Sequence, residues 1–125
     1  MKVLITGSNG LLGQHLIPLF VADDRYEVIA AGRGVNRLPS QQGYTYESVN
    51  LRNTVSVQQL LEKHHPDIII HAAAMTQVDE CERNKDACWD TNVAATRYLI
   101  QAAEKYNAFF LFLSTDFIFD GLEGP

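Results

Sequence analysis

The stretch TGSNGLLG, residues 6–13, sets Gly7, Gly10 and Gly13 three apart, between an apolar run and a helical pattern. Residues without a Cβ let a backbone turn tightly, approach a phosphate closely and pack a helix on a strand. The N-terminus of the helix that follows adds unpaired N–H groups and a partial positive charge. Chemically, this is a place for the pyrophosphate of a dinucleotide. The spacing is G-x-x-G-x-x-G, one residue longer than the G-x-G-x-x-G form. The plainer alternative is a tight turn with no ligand.

Which dinucleotide is a question for the end of the second strand. An acidic residue about 20 positions after the glycines would bind the 2′-hydroxyl of NAD, yet residues 28–46 contain no Asp or Glu. Arg33 stands there instead, with Arg37 following. A guanidinium suits a 2′-phosphate, which favours NADP and leaves NAD second; the alternative is two solvated loop arginines. Asn50 and Leu51 set a polar group beside an apolar one, as an adenine edge and face require. Ala74 and its small neighbours in HAAAMT, residues 71–76, let a flat cofactor lie against the backbone, or simply pack tightly. His71 is expected to make strand-end hydrogen bonds rather than to catalyse, and Asn92 to brace nearby backbone through a buried amide.

The elements that must position these groups follow from the apolar pattern. KVLIT (2–6), EVIAA (27–31), a weaker run within 44–49, DIIIH (67–71) and AFFLFLS (108–114) read as strands separated by helical segments. That alternation predicts an α/β fold with a parallel sheet. Right-handed crossovers give a Rossmann-type doubly wound sheet of order 3-2-1-4-5. Leu12, Leu16, Leu19 and Phe20 mark the apolar face of the first helix, which Pro18 should loosen. Thr54 is expected to cap a second helix with Val57, Leu60, Leu61 and His64 on one face. Asp79 and Glu82 have capping-box spacing ahead of a helix through Ala95, Leu99, Ala102, Ala103 and Tyr106. The last two strands are continuous apolar runs, expected to be buried on both faces. The fifth nevertheless falls at the sheet's edge, so the sheet is expected to be incomplete there and the natural chain to run on past Pro125.

Length and composition exclude several classes. A chain of 125 residues, 46% hydrophobic and 20% charged, suits one soluble domain. Its net charge of -5, with scattered Lys and Arg, offers no footprint for nucleic acid. No run reaches the roughly 18 apolar residues of a membrane span, and MKVLITG is no signal-peptide core, so the cytoplasm is expected. Cys81 and Cys88 lie seven apart without a C-x-x-C pair and are expected to be reduced, at least half-buried thiols. The histidines at 15, 64, 65 and 71 form no ligand pattern, so no metal is expected.

Taken together, TGSNGLLGQ, HAAAMTQVDECE, the Asn92 helix and LSTDFIFDG resemble the dTDP-4-dehydrorhamnose reductase family of the extended short-chain dehydrogenase/reductase superfamily. The resemblance spans nearly all 125 residues, and STDFIFDG is its most specific piece. It implies that Gly10, Leu11, Leu12, Asn50, Leu51, Ala74, Met75, Thr76 and Leu113 surround the cofactor, with Thr115 and Asp116 at a sugar. His71 departs from the family's usual Asn, and Asn50 from a common Asp.

The implied chemistry is hydride transfer from a nicotinamide to a 4-keto-hexose on a nucleoside diphosphate. A Tyr donates the proton, a Lys in Y-x-x-x-K lowers that phenol's pKa, and a hydroxyl, here Thr115, orients the carbonyl. None of Tyr26, Tyr44, Tyr46, Tyr98 or Tyr106 has a Lys four residues on. Residues 1–125 are therefore expected to be an NADP-binding domain, inactive alone, with the Tyr-Lys helix and a sugar-nucleotide domain following Pro125. A second reading is a non-catalytic NADP-binding regulatory subunit similar to the methionine adenosyltransferase β-subunit. A third is an NAD-dependent sugar-nucleotide epimerase or dehydratase. The sequence leaves the oligomer open, a homodimer included.

Overall fold

Val3 and Ile5 point to one side of the first strand and Leu4 to the other, and this alternation divides the core into two layers. In the computed structural model, which describes residues 1–115, that strand is β1 (Lys2–Thr6). It is followed by α1 (Leu11–Val21), β2 (Glu27–Gly32), β3 (Tyr44–Ser48), α2 (Thr54–His64) and β4 (Ile68–His71). Two short helices, α3 (Val78–Arg83) and α4 (Lys85–Trp89), lead through a π-helical turn at Asp90–Ala94 into α5 (Ala95–Lys105) and β5 (Phe109–Phe112).

Among the described residues the strands form one parallel sheet in the order β3-β2-β1-β4-β5. This is the expected Rossmann-type order. Thr6 lies opposite Ala31 on one side and His71 on the other, so the C-terminal ends of the three central strands finish level. On one face Leu4, Ile29, Ala31 and Ile69 pack against Val57, Leu60 and Leu61 of α2 and Leu99, Ala102 and Ala103 of α5. On the other, Val3, Ile5, Val28, Ala30 and Ile70 pack with Ile17 of α1 and Leu38. Each fully buried Val, Leu or Ile among them contributes about 1.5–3 kcal/mol.

Local sequence chemistry sets the helix ends, and not always where the spacing predicts. Asn53, rather than Thr54, caps α2: its side-chain oxygen accepts from Ser56 N–H at 3.1 Å, and Thr54 is already helical. Asp79 does not cap α3, which starts at Val78 with Gln77 ahead of it and no side-chain cap bond. The expected stripe of α1 holds in part: Leu16 and Phe20 pack against the core beside the buried Gly13 and Ile17, while Leu12 and Leu19 are 44% and 69% exposed. The cause is Gly13, which must face the turn after β1. Pro18 lies inside α1, which runs only to Val21. The expectation of burial on both faces fails for β5. Phe110 packs against the α2–α5 layer, but Phe109 and Phe112 are 63% and 50% exposed, because β5 is the sheet edge.

Since the Asn53 side chain satisfies an amide that the helix cannot, Asn53→Ala should lower stability by about 1 kcal/mol, read as a lower urea midpoint with an unchanged slope.

Candidate functional site

The site begins where β1 hands over to α1. Gly7 has φ +74°, and a Cβ there would lie 2.7 Å from Ala72 C and O and from Ala73 N. No side chain fits, so the turn packs directly on the backbone leaving β4. At Gly13 a Cβ would strike the Gly7 carbonyl and come within 2.7 Å of Ser8 Cα. The missing atom therefore draws the first turn of α1 onto the strand. Gly10 N–H donates to Gly7 O at 2.9 Å, and Gln14 N–H donates to Gly10 O at 3.0 Å to open the helix. The amides of Leu11, Leu12 and Gly13 precede that bond and carry the helix's partial positive charge.

Asn9 ties this turn to the end of β2. Its Nδ2 donates to Val35 O at 3.0 Å, to Tyr46 Oη at 3.1 Å and, longer, to Arg33 O at 3.3 Å; its Oδ1 accepts from Arg37 N–H at 2.9 Å. Tyr46 Oη in turn donates to Gly34 O at 2.9 Å. One side chain thus shapes the loop that carries both arginines. Asn9 was not singled out by the sequence; its position within the glycine turn was the available signal.

The opposite wall is held by a chain of side-chain bonds running out from the core. Thr6 Oγ1 lies 2.6 Å from His71 Nδ1, and His71 Nε2 lies 3.0 Å from Thr96 Oγ1. Thr96 uses its hydroxyl hydrogen on Asn92 O at 2.8 Å, so its oxygen accepts from His71 Nε2–H and Thr6 donates to the bare Nδ1. Burial favours this neutral ring and pulls the His71 pKa down from 6.5 to about 4. The next link is Asn92, whose Oδ1 accepts from Met75 N–H at 2.7 Å and whose Nδ2 donates to Met75 O at 2.9 Å. The expected roles of His71 and Asn92 as hydrogen-bonding braces are what the structure displays. The wider π-helical turn carries Asn92, and it also presents Asp90, which pairs with Arg52 at 2.8 Å between the β3–α2 loop and this wall.

Between these walls lies a cleft of about 580 Å³ at the C-terminal ends of β1, β2 and β4, where the strand order reverses. Such switch points are where open α/β sheets bind ligands. Of the residues expected at a cofactor, Gly7, Gly10, Arg33, Asn50, Leu51, Ala74 and Met75 are brought together in its lining. Gly13 is packed beneath the turn, and Leu11 and Leu12 are exposed and lie outside the lining. Thr76, Leu113 and Thr115 are exposed and lie outside the lining. Asp116 lies outside the described residues. Glu80, Asn84 and Thr91 join the lining without having been anticipated, since only the folding back of α3 and α4 brings them there.

The cysteines require a correction. Cys81 and Cys88 are not separate thiols but are joined as a disulfide, with Cα atoms 5.1 Å apart. The chain between them is not one helix; it breaks at Asn84 (φ -134°, ψ 66°), which returns α4 alongside α3. Among the described residues no group of His, Cys, Asp and Glu converges as a metal site, and no helix is long and apolar enough to cross a membrane.

Sheet order, glycine turn and switch-point cleft together define a Rossmann-type α/β protein. More narrowly, the chain belongs to the family described as RmlD substrate binding domain, whose model matches residues 1–124. It is 34% identical over 120 residues to a dTDP-4-dehydrorhamnose reductase of Aggregatibacter actinomycetemcomitans, covering 96% of this chain and 36% of that protein. It is also 34% identical over 124 residues to methionine adenosyltransferase 2 subunit beta of Rattus norvegicus, covering 99% of this chain and 35% of the relative. The crystal structure of a dTDP-4-dehydrorhamnose reductase from Bacillus anthracis in complex with NADP superposes with a TM-score of 0.75 at 28% identity, over 98% of this chain and 39% of that one. The chain thus spans little more than a third of the length of these relatives.

His71 gives the site a pH dependence. Its pKa is lower in the folded state than the ordinary 6.5, so between 6.5 and about 4 the unfolded chain binds more protons. Its stabilising contribution is complete above pH 6.5, drains as pH falls and is gone below about 4, a loss of up to about 3 kcal/mol. In denaturant titrations at pH 7 and pH 4.5, His71→Asn should show a smaller fall in stability than the parent, because the amide does not titrate in that range.

Proposed function

We propose that this chain is the dinucleotide-binding part of an NADPH-dependent reductase acting on a nucleoside-diphosphate 4-keto-6-deoxy sugar. The observation that carries the reading is the cradle after β1. There Gly7 lets the turn sit against the Ala72–Ala73 backbone, and Gly7 and Gly10 line the switch-point cleft beside helix amides without intrahelical acceptors. These features suit a pyrophosphate. Membership in the RmlD substrate binding domain family and the likeness to a reductase in complex with NADP support the nicotinamide class.

In this reading Gly7, Gly10 and the amides of Leu11, Leu12 and Gly13 hold the phosphates. Asn50 and Leu51 flank the adenine, and Arg33, exposed at the cleft edge, meets the 2′-phosphate. Ala74, Met75, Thr76 and Leu113 border the nicotinamide half. When bound, the reduced nicotinamide supplies a hydride. Asn92 fixes the wall beside it by engaging both polar groups of the Met75 backbone. The Thr115 hydroxyl orients the sugar carbonyl and Asp116 contacts the sugar. No Tyr in the chain has a Lys four residues on, so the proton donor of the complete reductase lies outside these 125 residues.

A second reading is a non-catalytic NADP-binding subunit, favoured by the equal 34% identity to a methionine adenosyltransferase β-subunit. Full-length protein supplied with NADPH and dTDP-4-keto-6-deoxy-mannose should oxidise the cofactor. Tight NADPH binding without turnover would favour the subunit, and no binding of either nicotinamide nucleotide would defeat both readings. Arg33→Ala should weaken NADPH about ten- to a hundredfold, the worth of one charge-assisted hydrogen bond, and leave NADH nearly unchanged, as read by fluorescence titration.

A further inference from the structure

The disulfide sits against the clamp that shapes the cleft. Asn92 Nδ2, which holds Met75 O at 2.9 Å, is also 3.4 Å from Cys88 Sγ, and Cys81 Sγ is 3.5 Å from the same Met75 O. Cys81 Sγ therefore borders a backbone carbonyl of the cleft wall, and Cys88 Sγ borders the side-chain amide that holds it. An unbroken α-helix would hold residues seven apart at about 10.5 Å along its axis, too far for a disulfide. The break at Asn84 brings the two Cα atoms to 5.1 Å, inside the bonding range. That break is a feature of the wall itself, since Glu80, Asn84 and Ala87 all line the cleft.

Little else holds this segment. Neither α3 nor α4 has a buried residue, and α3 lacks a side-chain cap. Segments with so little burial are the ones that open locally at low cost. Both sulfur-bearing residues are half-buried, so small reagents can reach them. Reduction would also change the chemistry at the clamp. A Cys81 thiol gains a hydrogen to offer to Met75 O beside the Asn92 amide, whereas the disulfide sulfur has none.

We propose that Cys81 and Cys88 form a reversible thiol–disulfide site that sets how firmly the α3–α4 wall of the cleft is held, and through it how tightly the cleft binds its nucleotide. The oxidant is a small-molecule disulfide such as glutathione disulfide. One cysteine thiolate attacks a glutathione sulfur, breaking that S–S bond and releasing one glutathione thiolate. The second cysteine thiolate then attacks the protein sulfur of the mixed disulfide and expels the other. The cysteine pair is oxidised by two electrons and glutathione disulfide is reduced by two. The two protons lost from the cysteines pass to the glutathione thiolates. The effect on nucleotide rests on the dinucleotide reading above; the bracing of the wall does not.

The test equilibrates the full-length protein in glutathione buffers from reducing to oxidising, then counts alkylated Cys81 and Cys88 by peptide mass spectrometry. Amide exchange across residues 78–89 and NADPH affinity are measured in both end states. Loss of both alkylation sites together, slower exchange across 78–89 and severalfold tighter NADPH binding on oxidation are expected. Cys81→Ser and Cys88→Ser should each abolish the oxidation-dependent change in exchange and affinity. Two alkylated cysteines in the most oxidising buffer, or exchange unchanged by pairing, would overturn the site; equal NADPH affinity in the two states would overturn its coupling to the cleft. If NADPH binds in neither state, the cofactor reading fails, and alkylation and exchange still decide the thiol site.

Discussion

Everything at the open end of this sheet depends on the absence of a side chain at position 7, because there the backbone after β1 touches the backbone after β4. A single methyl group would meet Ala72 and Ala73 at 2.7 Å, on main-chain atoms that cannot step aside. With hydrogen alone, the turn sinks between its neighbours. Ser8 N–H then pairs with Ala31 O at 3.1 Å, and Asn9 reaches across to the loop after β2. Gly32 completes the fit from the far side, where a Cβ would crowd Ser8 Oγ, Asn9 Nδ2 and Tyr46 Oη within 2.9 Å. The start of α1, the arginine-bearing loop and the floor of the cleft all take their positions from that contact.

The other wall is organised by polar groups instead of missing ones. Thr6, His71, Thr96 and Asn92 pass hydrogen bonds outward from the buried sheet to the Met75 backbone, each donor meeting an acceptor. A buried network is favourable only when it is satisfied throughout. A neutral imidazole satisfies this one because it accepts at one nitrogen and donates at the other. The resemblance leads one to expect Asn here, which likewise carries one acceptor and a donor group, so His71 keeps the pattern while adding a titration. Phe110 and Phe112 lie against the ring, with centroids 6.0 and 5.8 Å away, and reinforce its preference for the uncharged form.

Where sequence reasoning succeeded, one local pattern had one physical outcome. β1 and β2 were readable as runs of apolar residues, and the buried face of α2 followed from Val57, Leu60, Leu61 and His64. Its failures have a common origin. At the start of α2 two adjacent residues could both cap, and the extended one is Asn53, Thr54 being already helical. In α1 Leu16 and Phe20 of the apolar stripe pack on the core, but Gly13 and Ile17 take the inward positions and leave Leu12 and Leu19 exposed. β5 had the composition of a buried strand but the neighbours of an edge strand. Between residues 78 and 94 a helical pattern conceals two short helices and a π-helical turn, so neither the Cys81–Cys88 pair nor the Arg52–Asp90 bridge could be anticipated.

The sequence alone determined the parallel sheet, its order and the glycine turn, because strand periodicity, crossover handedness and the steric needs of glycine act over short stretches of chain. Only the tertiary structure decided which further residues join the cleft. Asn9, Arg52, Glu80, Asn84 and Thr91 meet Gly7 and Met75 there through contacts between segments distant in sequence. The same holds for the uncharged state of His71 and the pairing of the cysteines. Burial, hydrogen-bond complementarity and the approach of two sulfurs are properties of packed neighbours, and no single segment carries them.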